Sequence, residues 1–268
     1  MTILPSDESI RQPKKILIAV DLGPYAEVVV SYTLIATKDL VCEYTLLYCL
    51  EKEVSSIVAE EKIAQLLKKV TLQLGSKLDI KTLIIQDSPL AAIMQLNATE
   101  AFNMLAIGTS NQLNSWTMGS ISSDILVHYT GTLLAIPPVQ DLNFSNNISI
   151  FIEKKEKVDF ESFNSLNAFV SHFNIFINFV LFVKNAQVLC EEKLLIEEYQ
   201  DYFDANITFS FVVEQEQTYL NFLKYINDTH CESAVIAWDN NTAVYQSILQ
   251  DEVMYCSPKL PILYTKRR

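Results

Sequence analysis

The chain reads as an α/β protein built from two tandem, doubly wound, mostly parallel five-stranded sheets. Three observations predict this. Short apolar runs alternate with helical patterns from end to end. The second half repeats the order of the first, and a polar stretch after the double proline Pro137-Pro138 separates them. Strict alternation of strand and helix implies parallel strands, right-handed crossovers and helices on both faces of the sheet.

In the first half, Lys14–Val20 (KKILIAV) is a buried strand by its continuous apolar run. Asp21-Leu22-Gly23-Pro24 breaks it, and a helical pattern follows from Tyr25 to about Thr37. Tyr44–Leu50 is a second strand. Glu51 to Gly75 is a long helix, because Ile57, Ile63, Leu66, Leu67 and Val70 recur at helical spacing. Ile80–Gln86 is a third strand. Ser88-Pro89 then starts a helix with an N-cap and a proline at the first position, running to about Glu100. Met104–Gly108 is a fourth strand, followed by a polar loop and a helix over 120–128. Thr132–Ile136 is a fifth strand.

The second half predicts strands at Ile148–Ile152, Ile175–Val183, Ile207–Val213, Ala234–Trp238 and Pro261–Tyr264. Helices are predicted over 160–173, 188–203, 217–229 and 242–255. Placing Met104–Ser110 over Ser233–Asp239 superimposes the two halves, and a repeat this long is a duplicated domain rather than a solenoid. The expected organisation is an arm over 1–13, a first domain over 14–138, a linker over 139–147 and a second domain over 148–268.

Composition narrows the function classes. The formal net charge is −12, which opposes binding to nucleic acid. No apolar run reaches the length of a membrane span of about 18 residues, and the N-terminus has no basic and apolar leader pattern. A cytoplasmic protein is expected. The five cysteines form no CxxC pair and read as reduced thiols. The three histidines match no metal-ligand spacing, so no metal site is expected. The phenylalanines of the second half (160, 163, 169, 173, 176, 179 and 182) are expected in core and interface. A GxSxG elbow, a Walker loop and a GxGxxG turn are all missing, so no enzyme is expected and no catalytic residue is assigned.

One place can hold a ligand. In an open α/β sheet, ligands lie beyond the carboxyl ends of the strands at the switch point. Asp21, the end of the second strand at Cys49, and the segment from Gly108 to Ser122 converge there. Gly119, Ser120 and Ser122 begin the next predicted helix and offer amides, hydroxyls and a positive dipole end to an anion. The same residues also suit plain structural duties: Asp21 as a turn residue, Gly108 as a strand end, Ser120 as an N-cap.

Asp21 after ILIAV, the run Met104–Ser110 with Gly119-Ser120-Ile121-Ser122, and the closing Leu133–Pro137 together resemble the universal stress protein family in its tandem form. The resemblance covers 14–137 well and 148–265 loosely. It implies that the two halves pair with their last strands adjacent, an edge contact with which the apolar Leu133–Ile136 and Ile262–Tyr264 are compatible, and it leaves room for a homodimer. It implies an adenine-nucleotide alpha-hydrolase-like fold and a stress-response role through binding of ATP or AMP with Mg. By that resemblance Asp21 and the backbone at Cys49 face adenine and ribose, Gly108 lets the chain approach ribose and phosphates, and Gly119, Ser120 and Ser122 hold the phosphates. Asn111 stands where the family's loop has its middle glycine, and the gap to Gly119 is shorter than the family's. The second half has no glycine after Gly131, and Trp238-Asp239-Asn240-Asn241 occupies the loop position, so a structural, ligand-free second domain is expected. The alternative is a scaffold that binds proteins and has lost the ligand site in both domains. The identity of a protein partner is not specified by any motif.

Overall fold

The computed structural model describes residues 13–38, 40–50, 55–75, 78–109, 111–112, 115–116, 124–125, 127–129, 131–138, 147–153, 176–183, 206–213, 225–226, 228–229, 234–238 and 261–266. In the first half, β1 (Lys14–Val20), α1 (Ala26–Ala36), β2 (Cys42–Cys49), α2 (Ser56–Leu74), β3 (Ile80–Ile85), α3 (Pro89–Glu100) and β4 (Met104–Gly108) follow in order. A short hairpin comes next, β5 (Asn111–Gln112) with β6 (Ser115–Trp116), and then β7 (Thr132–Ile136). In the second half lie β8 (Asn147–Glu153), β9 (Phe176–Val183), β10 (Asn206–Val213), β11 (Ala234–Trp238) and β12 (Ile262–Lys266). Residues 124–125, 127–128, 225–226 and 228–229 are helical. The helices expected over 160–173, 188–203 and 242–255 lie outside the described residues.

Local chemistry accounts for these elements. Helix α2 buries Ala59, Ile63, Leu66 and Val70, one stripe at helical spacing, and ends where Gly75 turns left-handed (φ 66°) and donates its N–H to the Thr71 carbonyl. Helix α3 begins as expected: the Ser88 hydroxyl accepts from the Ala91 N–H at 3.3 Å, and Pro89 fills the first position, where no N–H is needed. It ends on Ala101 in a left-handed conformation (φ 51°), an unusual choice for a residue with a Cβ. Strands β4 and β7 are buried on both faces, as parallel strands under helices must be.

Ten strands form one sheet in the order β10-β9-β8-β11-β12-β7-β4-β1-β2-β3. The expected pair of five-stranded sheets is thus a single sheet. Each half runs in the same strand order, and the halves meet where β7 and β12 pair antiparallel, the one antiparallel contact of this sheet among the described residues. The joining strands are the two that the family resemblance implied as the edge contact. Backbone hydrogen bonding across two apolar edges removes both from solvent, which accounts for the fusion.

The register at this seam matches the internal repeat. Superimposing Met104 on Ser233 also superimposes Leu134 on Leu263, and Leu134 and Leu263 face each other across the seam. A residue that faces its own equivalent marks a local twofold axis perpendicular to the sheet.

Two cores follow from the alternation of side chains along the strands. On one face, Leu17, Leu47, Leu105 and Leu133 pack under α3, Ile125 and Tyr129, and the same cluster continues into Phe151, Val180, Ile226 and Tyr264 of the second half. On the other face, Ile16, Ile18, Leu46, Ala106 and Leu134 pack under α1 and α2. Phe179 is buried as expected and stacks on Phe209 with ring centroids 5.4 Å apart, whereas Phe176 at the start of β9 is 50% exposed and is not a core residue.

Candidate functional site

The strand order places the switch point of the first half between β1 and β4, because β2 and β3 lie to one side of β1 and β4 and β7 to the other. The register ending at Ala19–Ile107 puts the carboxyl ends of β1 and β4 side by side, so Asp21, which follows β1, and Gly108 and Thr109, which end and follow β4, lie on the same rim of the sheet. Cys49, at the end of β2, belongs to the same rim one strand further on.

Each described residue of the expected site has a visible structural task. The Asp21 carboxylate folds back on its own turn and accepts the Gly23 N–H at 2.8 Å. Leu22 between them is left-handed (φ 55°), a conformation that costs a non-glycine residue about 1–2 kcal/mol. The Asp21–Gly23 bond and the packing of Leu22 against the α1/α2 core hold it there. One Asp21 oxygen is thus engaged, and the residue remains exposed.

Gly108 has an ordinary negative φ, so its lack of a side chain is not a conformational requirement. A Cβ there would lie 3.0 Å from Val29 Cγ2 of α1, and Val29 is buried. The glycine lets α1 settle onto β4. Thr109 next to it is buried, with its N–H and its hydroxyl both donating to the Ile136 carbonyl, at 2.9 and 3.3 Å. These bonds tie the start of the loop to β7.

Cys49 is half-buried against the core beneath α3. Burial, and secondarily the negative charge of Asp87, push its thiol up to about 11, so it is a neutral thiol at physiological pH. Leu50 continues the strand by donating to the Ile85 carbonyl at 2.8 Å. Asp87 was not anticipated as a neighbour of Cys49; its signal in the sequence was only its place after the third strand, one residue before the α3 cap. It accepts the Ser88 N–H through Oδ1.

Asn111 lies in β5, paired with Trp116, and does not take the left-handed conformation that a glycine substitute in a turn would use. The hairpin was not expected; the segment has no turn glycine, and a ladder of two pairs leaves no periodicity to read. Gly119, Ser120 and Ser122 lie outside the described residues. Among the described residues, no group of three or more His, Cys, Asp or Glu is placed to hold a metal, and no helix is long and apolar enough to cross a membrane.

No family model matches the chain, and neither does any curated protein sequence. Solved structures do. A universal stress protein from Archaeoglobus fulgidus DSM 4304 is 13% identical with a TM-score of 0.63, covering 94% of this chain and 96% of that one. A protein of unknown function from Pseudomonas aeruginosa PAO1 is 11% identical with a TM-score of 0.65, covering 95% and 93%. The cytoplasmic domain of a prokaryotic cation chloride cotransporter is 13% identical with a TM-score of 0.56, covering 94% and 95%. The chain has the α/β fold of universal stress proteins over nearly its whole length.

Proposed function

We propose that this is a universal-stress-like protein that binds an adenine nucleotide, ATP or AMP with Mg, in the crevice of its first half. It acts in a cytoplasmic stress response through binding rather than turnover, and the second half is structural. The observation that supports this reading is that β1 and β4, which Asp21 and Gly108 close, are neighbours at the switch point of a fold shared with a universal stress protein. The free oxygen of Asp21 suits an adenine amino group or a ribose hydroxyl. Gly119, Ser120 and Ser122 would then serve the phosphates, which bring the Mg ion with them.

A second reading is a nucleotide-free scaffold. Two observations favour it: the closeness of Val29 accounts for Gly108 without a ligand, and Asp87 adds negative charge beside Cys49 on a rim that would face phosphates. The same fold serves as the cytoplasmic domain of a cotransporter in one solved structure.

One experiment separates the two. The purified protein is denatured and the supernatant analysed for adenine nucleotide, and the native protein is melted with and without ATP and Mg. Ligand at a hundredfold excess over Kd stabilises by about 2.7 kcal/mol. Nucleotide binding predicts released nucleotide or a raised Tm, and loss of that shift in a folded Gly119→Val variant. Neither nucleotide nor a shift establishes the scaffold reading, and a shift that survives Gly119→Val moves the phosphate site elsewhere.

A further inference from the structure

The two outer edges of the sheet are equivalent by the internal repeat but differ in chemistry. Equivalence can be traced strand by strand. Leu105 superimposes on Ala234; Leu17 lies beside Leu105, and Ser149 beside Ala234. Thr45 lies beside Leu17, and Asn178 beside Ser149. Lys81 lies beside Thr45, and Thr208 beside Asn178. Lys81 on the β3 edge therefore corresponds to Thr208 on the β10 edge. A lysine in an edge strand is a standard protection against pairing with another chain. Here it is 57% exposed and ion-paired with Glu100 at 3.3 Å. Its counterpart carries no charge. Indeed the whole of β10, Asn206–Val213 (NITFSFVV), is free of charge, proline and glycine, rich in β-formers, and among the described strands has a neighbour on one side only. Thr208 is exposed, and Ile207, Phe209, Ser210 and Val212 are half-buried.

We propose that β10 is an association edge, on which a second copy of this chain adds its own β10 antiparallel, centred on Ser210. The strand is self-complementary about that residue. By register, centring there puts position 209 opposite the partner's position 211 and position 207 opposite its position 213, Phe with Phe and Ile with Val in the sequence, each pair occurring twice by symmetry. Aromatic and β-branched cross-strand pairs are the ones that stabilise a sheet. A second copy fits better than a foreign strand because it supplies this uncharged, matched segment at equal concentration. With each chain at −12, the meeting edge must itself be uncharged for two copies to approach. Twofold pairing also closes: it consumes both β10 edges and leaves only β3 edges, which Lys81 protects, so the product is a dimer and not a filament. The chain already joins its own halves in this way at β7 and β12.

The test is light scattering on size-exclusion chromatography with amide hydrogen exchange. The wild type is expected to be dimeric, with exchange over 206–213 slowing as concentration rises. Thr208→Lys, which restores the lysine of the twin edge at an exposed position, and Thr208→Glu are expected to weaken the dimer at least about tenfold. Their circular dichroism should match wild type, with a small fall in Tm because the Thr208 hydroxyl no longer donates to the Asn178 side chain (3.2 Å) and the Ile177 carbonyl (3.4 Å). A wild type that remains monomeric at its solubility limit overturns the proposal. So does a filament, a dimer indifferent to both charges, or concentration-dependent protection that falls on α2 or β3 instead of β10. The exchange experiment uses the wild type alone and decides the matter even if a variant fails to fold.

Discussion

Substituting Gly108 by alanine tests whether this glycine serves the packing of α1 on β4. Alanine in a strand ordinarily stabilises over glycine by about 0.5–1 kcal/mol, because it restricts the unfolded chain. Here the added carbon would sit 3.0 Å from Val29 Cγ2, against 3.4–4 Å for an ordinary contact. Val29 is 4% exposed on a helix held between β4 and α2, so it cannot swing away. Overpacking of this kind costs about 1–3 kcal/mol, and the net expectation is a loss of about 1 kcal/mol. For a chain this size that lowers Tm by about 2–4 °C. Val29→Ala alone removes two methyl groups and leaves a cavity, a loss of about 2 kcal/mol. In the double variant the alanine methyl at 108 occupies the vacated space. The combined loss should fall short of the sum of the singles by about 1 kcal/mol or more. Urea unfolding followed by circular dichroism measures all four corners of the cycle. Additive losses, or a Gly108→Ala variant as stable as wild type, would refute the packing account.

Three further substitutions probe other parts of the first half. Ala101→Gly should raise stability by about 0.5–1 kcal/mol in thermal melts, because the exposed residue closing α3 is left-handed. Gly131→Ala should destabilise by about 1–3 kcal/mol, since its Cβ would lie 2.8 Å from the ring and hydroxyl of Tyr129, itself 1% exposed. Asp87→Asn should lower the Cys49 pKa and speed its alkylation at pH 8–9, read by peptide mass spectrometry. The wild-type thiol, raised from 9.0 to about 11 in the folded protein, favours the fold below pH 9 and loses that contribution as pH climbs towards 11.

The fold was legible because its signals are local and repeated. Lys14–Val20, Met104–Gly108, Thr132–Ile136 and Ala234–Trp238 are bounded in the structure as their apolar runs suggested, since parallel strands under helices must be apolar on both faces. The Ser88-Pro89 start of α3 was equally plain, because a cap acts within one turn. What could not be read depends on the third dimension. The packing duty of Gly108 could not be read, since nothing in a sequence says that Val29 lies 3.0 Å from the place of its missing side chain. Asp87 is a carboxylate at a strand end until packing brings it beside Cys49. The fusion of the sheets was half legible: the family resemblance implied adjacent last strands and their apolar character was compatible with it, but only the register shows that Leu134 and Leu263 sit on the axis.

That axis bears on how the halves behave. A seam held by strand pairing alone could open like an interface between domains. This one is also roofed by a core that crosses it, since Leu17, Leu105 and Leu133 share one apolar cluster with Phe151, Val180 and Tyr264. Opening the seam would bare the buried faces of Leu133 and Tyr264, paired across it, along with the backbone bonds beneath them. Unfolding either half therefore removes the packing partners of the other, and the chain should melt in a single transition, with tryptophan fluorescence and far-UV circular dichroism coinciding. Two separated transitions would show that the shared core contributes little. A single one makes a nucleotide bound to the first half visible in the Tm of the whole chain, so the melting assay needs no probe placed at the crevice.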